Sequence, residues 1–496
     1  MGNNTRVFLF LLMPGFFLTG AQAKNNAAPE EPNGYQISLT LSPLKNCWVH
    51  LYSYYGKYTQ LIDSAWMDDN SKGVFKGTTK LTGGFYFVLP PLKNHSFEFL
   101  IGDQQHFSVK ADTAYPEKLD IKGSPDNIPF LQYNNYIHDN SPRLKTWEAR
   151  WKGATNAADS LRYRSEWEKQ QKQLFDYRET IEKQYPESMF ALFLRSLKMP
   201  QPPPTPVLPD GSKDSLFPFR YIKAHYWDEV PLHDNRLLRT PPPFFDDKIE
   251  YYFRNYVVPD ADTLIGEVNY LLLASRAGND MFKYLLGRFT DKYINPQIMG
   301  HDKVFIFLFN EYFSKGDTTW LSARQKQYIF DRAYSMMANQ IGETAAPLNL
   351  SDTAGKQATM YSINAPFTFL VFWDPNCGHC KEMIPRIDSI YQHKWKNQGV
   401  GLYAVNIDEK AIDEWKKYIR NHHLTGWIHA WQPKEDKEAD AQAGRPNYRQ
   451  LYDVFQTPTL YLLDRDKRII GKKLSLEQFD QVMQAKMNKQ PNQVRK

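Results

Sequence analysis

The segment from Phe372 to Met383, FWDPNCGHCKEM, places Cys377 and Cys380 two residues apart, where an apolar run ends and an amphipathic one begins. Three chemistries use such a pair: metal binding, a structural staple and electron exchange. A structural zinc site needs four ligands, and this pair with the distant Cys47 does not supply them. A staple across a two-residue gap would constrain little of the unfolded chain, because stabilisation grows with loop length. Thiol–disulfide exchange is the remaining use, and the position favours it. A cysteine at the first turn of a helix faces unpaired N–H groups and the positive end of the helix dipole, which favour thiolate over thiol. Cys377 is therefore the expected nucleophile, and Cys380, one turn inward, the expected resolving thiol. His379 between them adds a donor or a positive charge, which stabilises the thiolate further and makes the disulfide easier to reduce.

Those sulfurs need a strand before them and a helix behind. FTFLVFWD (367–374) has the apolar run of a buried strand, and residues from Gly378 to about Trp395 the pattern of a helix. Met383, Ile384, Ile387, Ile390 and Tyr391 form the stripe that would pack the cysteine turn on a sheet, with Pro385 expected to bend the helix. A second strand is expected at 400–408 and a helix from near Lys410. TLYLLD (459–464) and KRIIGKKL (467–474) suggest a hairpin across Arg465-Asp466, and SLEQFDQVMQAKM a closing helix. This order describes a small α/β domain over 343–490, after the linker-like Gly342-Glu343-Thr344-Ala345-Ala346-Pro347.

The segment resembles thioredoxins, and more narrowly the secreted TlpA-like thiol–disulfide oxidoreductases. The matching pieces are Phe372-Trp373 at the strand end, the Cys377-Gly378-His379-Cys380 motif, Pro385 five residues on, and Thr457-Pro458-Thr459 ahead of a strand. The resemblance implies that Pro458 is cis and lies beside the disulfide, with the Thr457 backbone pairing to an extended substrate segment. Thioredoxins usually place a buried acid six residues before the first cysteine, where this chain has Val371. Several TlpA-like proteins carry a glutamate three residues after the second cysteine, where this chain has Met383. Glu382 should project from another face, which leaves proton handling to Asp374 or water. The charged stretch 434–447 is expected to be a loop-like insertion, either a partner surface or a tolerated solvated loop.

The rest of the chain surrounds this domain with other architectures. Arg6, the apolar VFLFLLMPGFFL and Ala21-Gln22-Ala23 have the order of a secretory signal peptide over 1–23. Residues 35–127 hold six short alternating runs (YQISLTL, CWVHLYSY, GVFKGTT, GFYFVL, FEFLI, HFSVK), which suggests an antiparallel β-sandwich-like domain. His50, His95 and His106 lack ligand spacing there. From 128 to 342 the period is helical, as in Leu174, Tyr177, Ile181 and Tyr185, with proline clusters at 202–206 and 241–243 between helices. The expectation is an all-α middle domain, with Met299-Gly300-His301-Asp302 as a capping turn. The expected fold class is thus multidomain: β-sandwich-like, all-α, then α/β thioredoxin fold. The first two parts also look like poorly characterised modules found upstream of such domains in secreted bacterial proteins.

At 496 residues the chain exceeds one core, and its 42% apolar content excludes a disordered protein. A net charge of +6, spread along the chain, argues against nucleic acid as a partner. Lys467, Arg468, Lys472 and Lys473 are expected on a solvated strand face. Lys381 follows Cys380, so no CxxCH haem attachment is present, and with no phosphate loop or metal-ligand helix no cofactor is expected. His422-His423 with His429 is a conceivable metal set, but a surface helix end explains the His422-His423 pair better. The reading is an enzyme of the periplasm that reduces disulfide-containing client proteins and is recharged by a membrane electron carrier. Two alternatives stay open: an oxidase or isomerase, because Gly378-His379 is the dipeptide of protein disulfide isomerase, and a redox-sensitive binding module.

Overall fold

Apolar and polar residues alternate with a period of two through much of 35–122, and that stretch forms eight strands in the computed structural model, which describes residues 34–91 and 96–489. The expected leader over 1–23 and His95 lie outside the described residues. The strands are β1 (Tyr35–Ser42), β2 (Cys47–Tyr55), β3 (Tyr58–Met67), β4 (Lys72–Gly77), β5 (Gly84–Leu89), β6 (Phe97–Ile101), β7 (His106–Asp112) and β8 (Tyr115–Lys122). They build two four-stranded sheets, ordered β4-β1-β7-β8 and β3-β2-β5-β6. Ile37, Leu39 and Val109 of the first share a core with Val49, Leu51, Val88 and Phe99 of the second, the face-to-face packing of a sandwich. The all-antiparallel expectation is corrected at one pairing: β1 and β7 run parallel, with Ile37 opposite Phe107 and Leu39 opposite Val109. β3 escaped the pattern because Tyr58–Leu61 are exposed on both faces and show no alternation.

Helices follow: α1 (Asn127–Lys152), α2 (Ala157–Gln184), α3 (Met189–Ser196), α4 (Phe217–His225), α5 (Phe244–Tyr256), α6 (Ala261–Ala274), α7 (Asn279–Tyr293), α8 (Asp302–Leu308) and α9 (Ala323–Met337). α1 and α2 form an antiparallel pair zipped by aromatic contacts, Tyr136 on Tyr177 at 3.8 Å and Trp151 on Trp167 at 5.3 Å between ring centres. The chain divides into two compact units, one of 1–257 with 271–284 and one of 258–270 with 285–496, so α8 and α9 belong with the C-terminal sheet.

That second unit continues as β9 (Asn349–Asp352), β10 (Gln357–Thr359), β11 (Phe367–Trp373), α10 (Gly378–Ile390), β12 (Val400–Asn406), α11 (Ile412–Asn421), β13 (Ile428–Trp431), α12 (Lys434–Gln442), α13 (Tyr448–Leu451), β14 (Thr459–Asp464), β15 (Ile469–Lys472) and α14 (Leu476–Lys489). Its seven strands are ordered β10-β9-β13-β12-β11-β14-β15. Every residue of β11 is buried, because it pairs with β12 and β14 on its two edges and is covered on both faces. Phe369, Val371 and Trp373 enter one core with Ile384 and Ile387 of α10, while Leu370 and Phe372 enter the other with Tyr452 and Tyr461.

Three expectations are corrected in this unit. The stretch 434–447 is not all loop: Lys434–Gln442 is helical, supported by Glu, Lys, Ala and Gln propensity and by acidic Glu435 and Asp436 in its first turn. It buries no side chain, so it lacks the apolar stripe that marks helices in sequence. The basic cluster is a solvated face only in part: Arg468 and Lys473 are exposed, but Lys467 and Lys472 are not. Lys467 donates to the Ile363 carbonyl at 2.8 Å, and Lys472 to Asp302 Oδ2 at 2.7 Å and to the Asn339 carbonyl at 2.6 Å, both lysines being buried. Third, the linker-like segment is built into the sheet: Gly342 N–H donates to the Ile469 carbonyl and Ile469 N–H to the Glu343 carbonyl, covering the β15 edge.

Candidate functional site

The cysteine turn is set by what precedes it. β11 ends at Trp373, and Asp374 makes a short Asx turn, its Oδ1 accepting from Asn376 N–H at 2.7 Å and its carbonyl from Cys377 N–H at 3.2 Å. Cys377 is the N-cap of α10, with Cys380 in the first turn. Gly378 and His379 are exposed, and a Cβ added at Gly378 would meet nothing within 4 Å, so the approach to the turn is open. Cys377 is half-buried, whereas Cys380 is 0% exposed within the core under β11.

Thr457 closes the other side. The Cys377 thiol donates to the Thr457 carbonyl at 3.6 Å, across 80 residues of chain. The Thr457–Pro458 peptide bond is cis, and Thr459 begins β14 beside β11. The sequence pieces that lie far apart, Cys377 and Thr457-Pro458, are therefore in contact. Pro385 sits inside α10 and is exposed.

The two sulfurs ionise differently. Cys377 is held below its ordinary value: the hydrogen bond from the Thr457 side chain comes first, partial burial opposes it, and the Cys380 backbone and side chain and the His379 N–H add to it. Burial pushes Cys380 up to about 12, against the lesser effects of the Asp374 backbone and the Thr457 side chain. Val371, where an acid was the family alternative, is buried and apolar, and Met383 is partly buried against the same core. Of the two sulfurs, Cys377 is thus the more readily ionised and Cys380 the one that holds its proton.

Trp373 is fully buried, its ring edge-on to Tyr418 of α11 with centres 5.3 Å apart, and its indole N–H has no hydrogen-bond partner among the described residues. Tyr418, which the sequence reading passed over, stacks on His422 at 4.0 Å, and its phenol is pushed up by burial first and by the Cys380 sulfur second. The signal was available: Trp415, Tyr418 and Ile419 share one helical face. Among the described residues no group of three or more His, Cys, Asp or Glu side chains is placed to hold a metal. His422 is the C-cap of α11 with His423 next to it, both exposed, as expected of the pair, while His429 is buried on β13 and its Nε2 donates to the Leu424 carbonyl at 2.9 Å.

A family described as thioredoxin-like matches residues 366–469, and one described only as a domain of unknown function, DUF5106, matches 166–339. The chain is 26% identical over 133 residues to the thiol-disulfide oxidoreductase ResA of Bacillus cereus, covering 27% of this chain and 69% of that protein. Among solved structures it is similar to a domain of a possible thiol-disulfide isomerase from Cytophaga hutchinsonii, with 32% identity, 30% of this chain, 94% of that one and a TM-score of 0.27. A thioredoxin-like protein from Bacteroides caccae aligns over 58% of this chain and 97% of its own, with 22% identity and a TM-score of 0.44. Through the domain that carries Cys377 and Cys380, the chain belongs to the thioredoxin superfamily of thiol–disulfide oxidoreductases.

Proposed function

We propose that the protein is exported and reduces disulfides in client proteins through Cys377 and Cys380. The Cys377 thiolate attacks one client sulfur, the client S–S bond breaks, and the departing client thiolate takes up a proton. Cys380 then loses its proton and attacks the Cys377 sulfur of the mixed disulfide. The second client thiolate leaves and is protonated, so the client gains two electrons and two protons while the enzyme keeps a Cys377–Cys380 disulfide. A membrane electron carrier would return the pair to its thiol form. The observation that carries this reading is the opposite setting of the two sulfurs, one open and acidified, the other buried and pushed up to about 12. Export rests on the leader-like order of residues 1–23. Among the described residues no helix is long and apolar enough to cross a membrane.

The test is a pair of serine variants in the full chain. Cys377→Ser is expected to abolish disulfide turnover, and Cys380→Ser to accumulate covalent client adducts at Cys377, visible by mass spectrometry and released by dithiothreitol. Turnover surviving in Cys377→Ser would overturn the assignment. Direction follows from the potential of the pair: below about −250 mV supports reduction, whereas a value near about −150 mV would make the enzyme an oxidase or isomerase.

A further inference from the structure

Phe455 is 66% exposed and stands two residues before Thr457, whose carbonyl contacts Cys377 Sγ at 3.6 Å. A single exposed phenylalanine is ordinary on a protein surface. This one is fixed from beneath. The Arg332 guanidinium carbon lies 4.6 Å from the centre of the Phe455 ring. Arg332 is 3% exposed and comes from α9, outside the segment that matches the thioredoxin-like family. Its guanidinium donates to the Asp453 carboxylate and, at 3.0 Å, to the Ile294 carbonyl. Asp453 itself turns the chain with a positive φ of 50°, pairs with Lys473 at 3.6 Å, and accepts at its carbonyl from Phe455 N–H at 3.1 Å. Ring and backbone are therefore both anchored by a buried ion pair, and an aromatic held in place before binding loses little freedom when a partner arrives.

Resting on the exchange reading above, we propose that Phe455 selects clients by taking an apolar or aromatic side chain that flanks the attacked cysteine in an extended client segment, and that Arg332 is its positioning residue. Two residues of chain span at most about 7 Å, so the ring lies within reach of a segment aligned on Thr457. Side chains of an extended segment advance by about 3.3 Å per residue, which brings a client position about two residues from its cysteine to the ring. The occupant is an extended disulfide-bearing segment because Phe455 stands two residues from Thr457, whose carbonyl contacts the reactive sulfur. The role of the helical region in catalysis is then concrete: α9 supplies the cation on which the contact rests.

Two peptides with the same disulfide test this in the full-length protein, one with leucine or phenylalanine two positions from the cysteine and one with serine there. The wild type is expected to favour the apolar peptide by about tenfold in kcat/KM. In Phe455→Ala that preference should collapse towards one through a higher KM for the apolar peptide, Phe455→Leu should keep part of it, and Arg332→Lys, which keeps the charge and loses the planar stack, should weaken it. A preference retained in Phe455→Ala, or an equal fall of kcat on both peptides, would overturn the proposal. A wild type that turns over neither peptide would overturn the exchange reading instead, and the two failures are thus told apart.

Discussion

Two sulfur atoms one helical turn apart meet opposite surroundings, and in the proposed exchange that contrast sets the order of events. Cys377 sits at the N-terminus of α10, where unpaired N–H groups and Thr457 stabilise an anion, while Cys380 is sealed in the core beneath β11. The sign of the pH response follows. Below the depressed value of Cys377 the thiol predominates and the nucleophile is lost, so turnover of a small disulfide should fall about tenfold per pH unit there. Above it the rate should be flat, because Cys380 titrates at about 12. A rate that still climbs between about pH 8.5 and about pH 10 would place Cys377 at an ordinary cysteine value. The motif itself was legible from two cysteines and a change of hydrophobic period. That Pro458 lies beside the cysteines was implied by the family resemblance alone, and Thr457 as the acidifying neighbour was not foreseen, since nothing local links residues 80 apart.

At the scale of elements, β15 shows how burial can hide from sequence. KRIIGKK has the look of a solvated strand, yet Lys472 is buried against Asp302 of α8, 170 positions earlier, and against Asn339 just beyond α9. A buried ammonium is tolerated only with such partners. Removing the carboxylate in Asp302→Asn should therefore lower the unfolding free energy in urea by about 3–5 kcal/mol, and Asp302→Leu combined with Lys472→Met should recover most of that loss. A single substitution that costs under about 1 kcal/mol would show that Asp302 is not the partner on which the buried lysine depends. α12 is the converse case: its helix propensity was present, but without an apolar face no period announced it.

For the whole molecule, the order of architectures was readable because each has its own period, two for the β-rich part, 3.6 for the helical part, and alternation of both at the end. Strand direction was not, since side-chain alternation is the same in parallel and antiparallel strands, and the β1–β7 pairing closes only after the intervening strands. Nor was it readable that the segment after α9 pairs with β15, because Gly342-Glu343-Thr344 has the composition of a linker whichever it does. The helical region thus enters the C-terminal unit as part of its structure, through Asp302, Arg332 and Asn339. The account depends most on Cys377 being an open, acidified thiolate, which site-resolved alkylation of the reduced full chain between about pH 5 and about pH 10 measures directly. The expected result is labelling of Cys377 first, with half-ionisation below the ordinary value of about 8.5, and no labelling of Cys380 in that range. Half-ionisation of Cys377 at about 8.5 or above, or earlier labelling of Cys380, would contradict it.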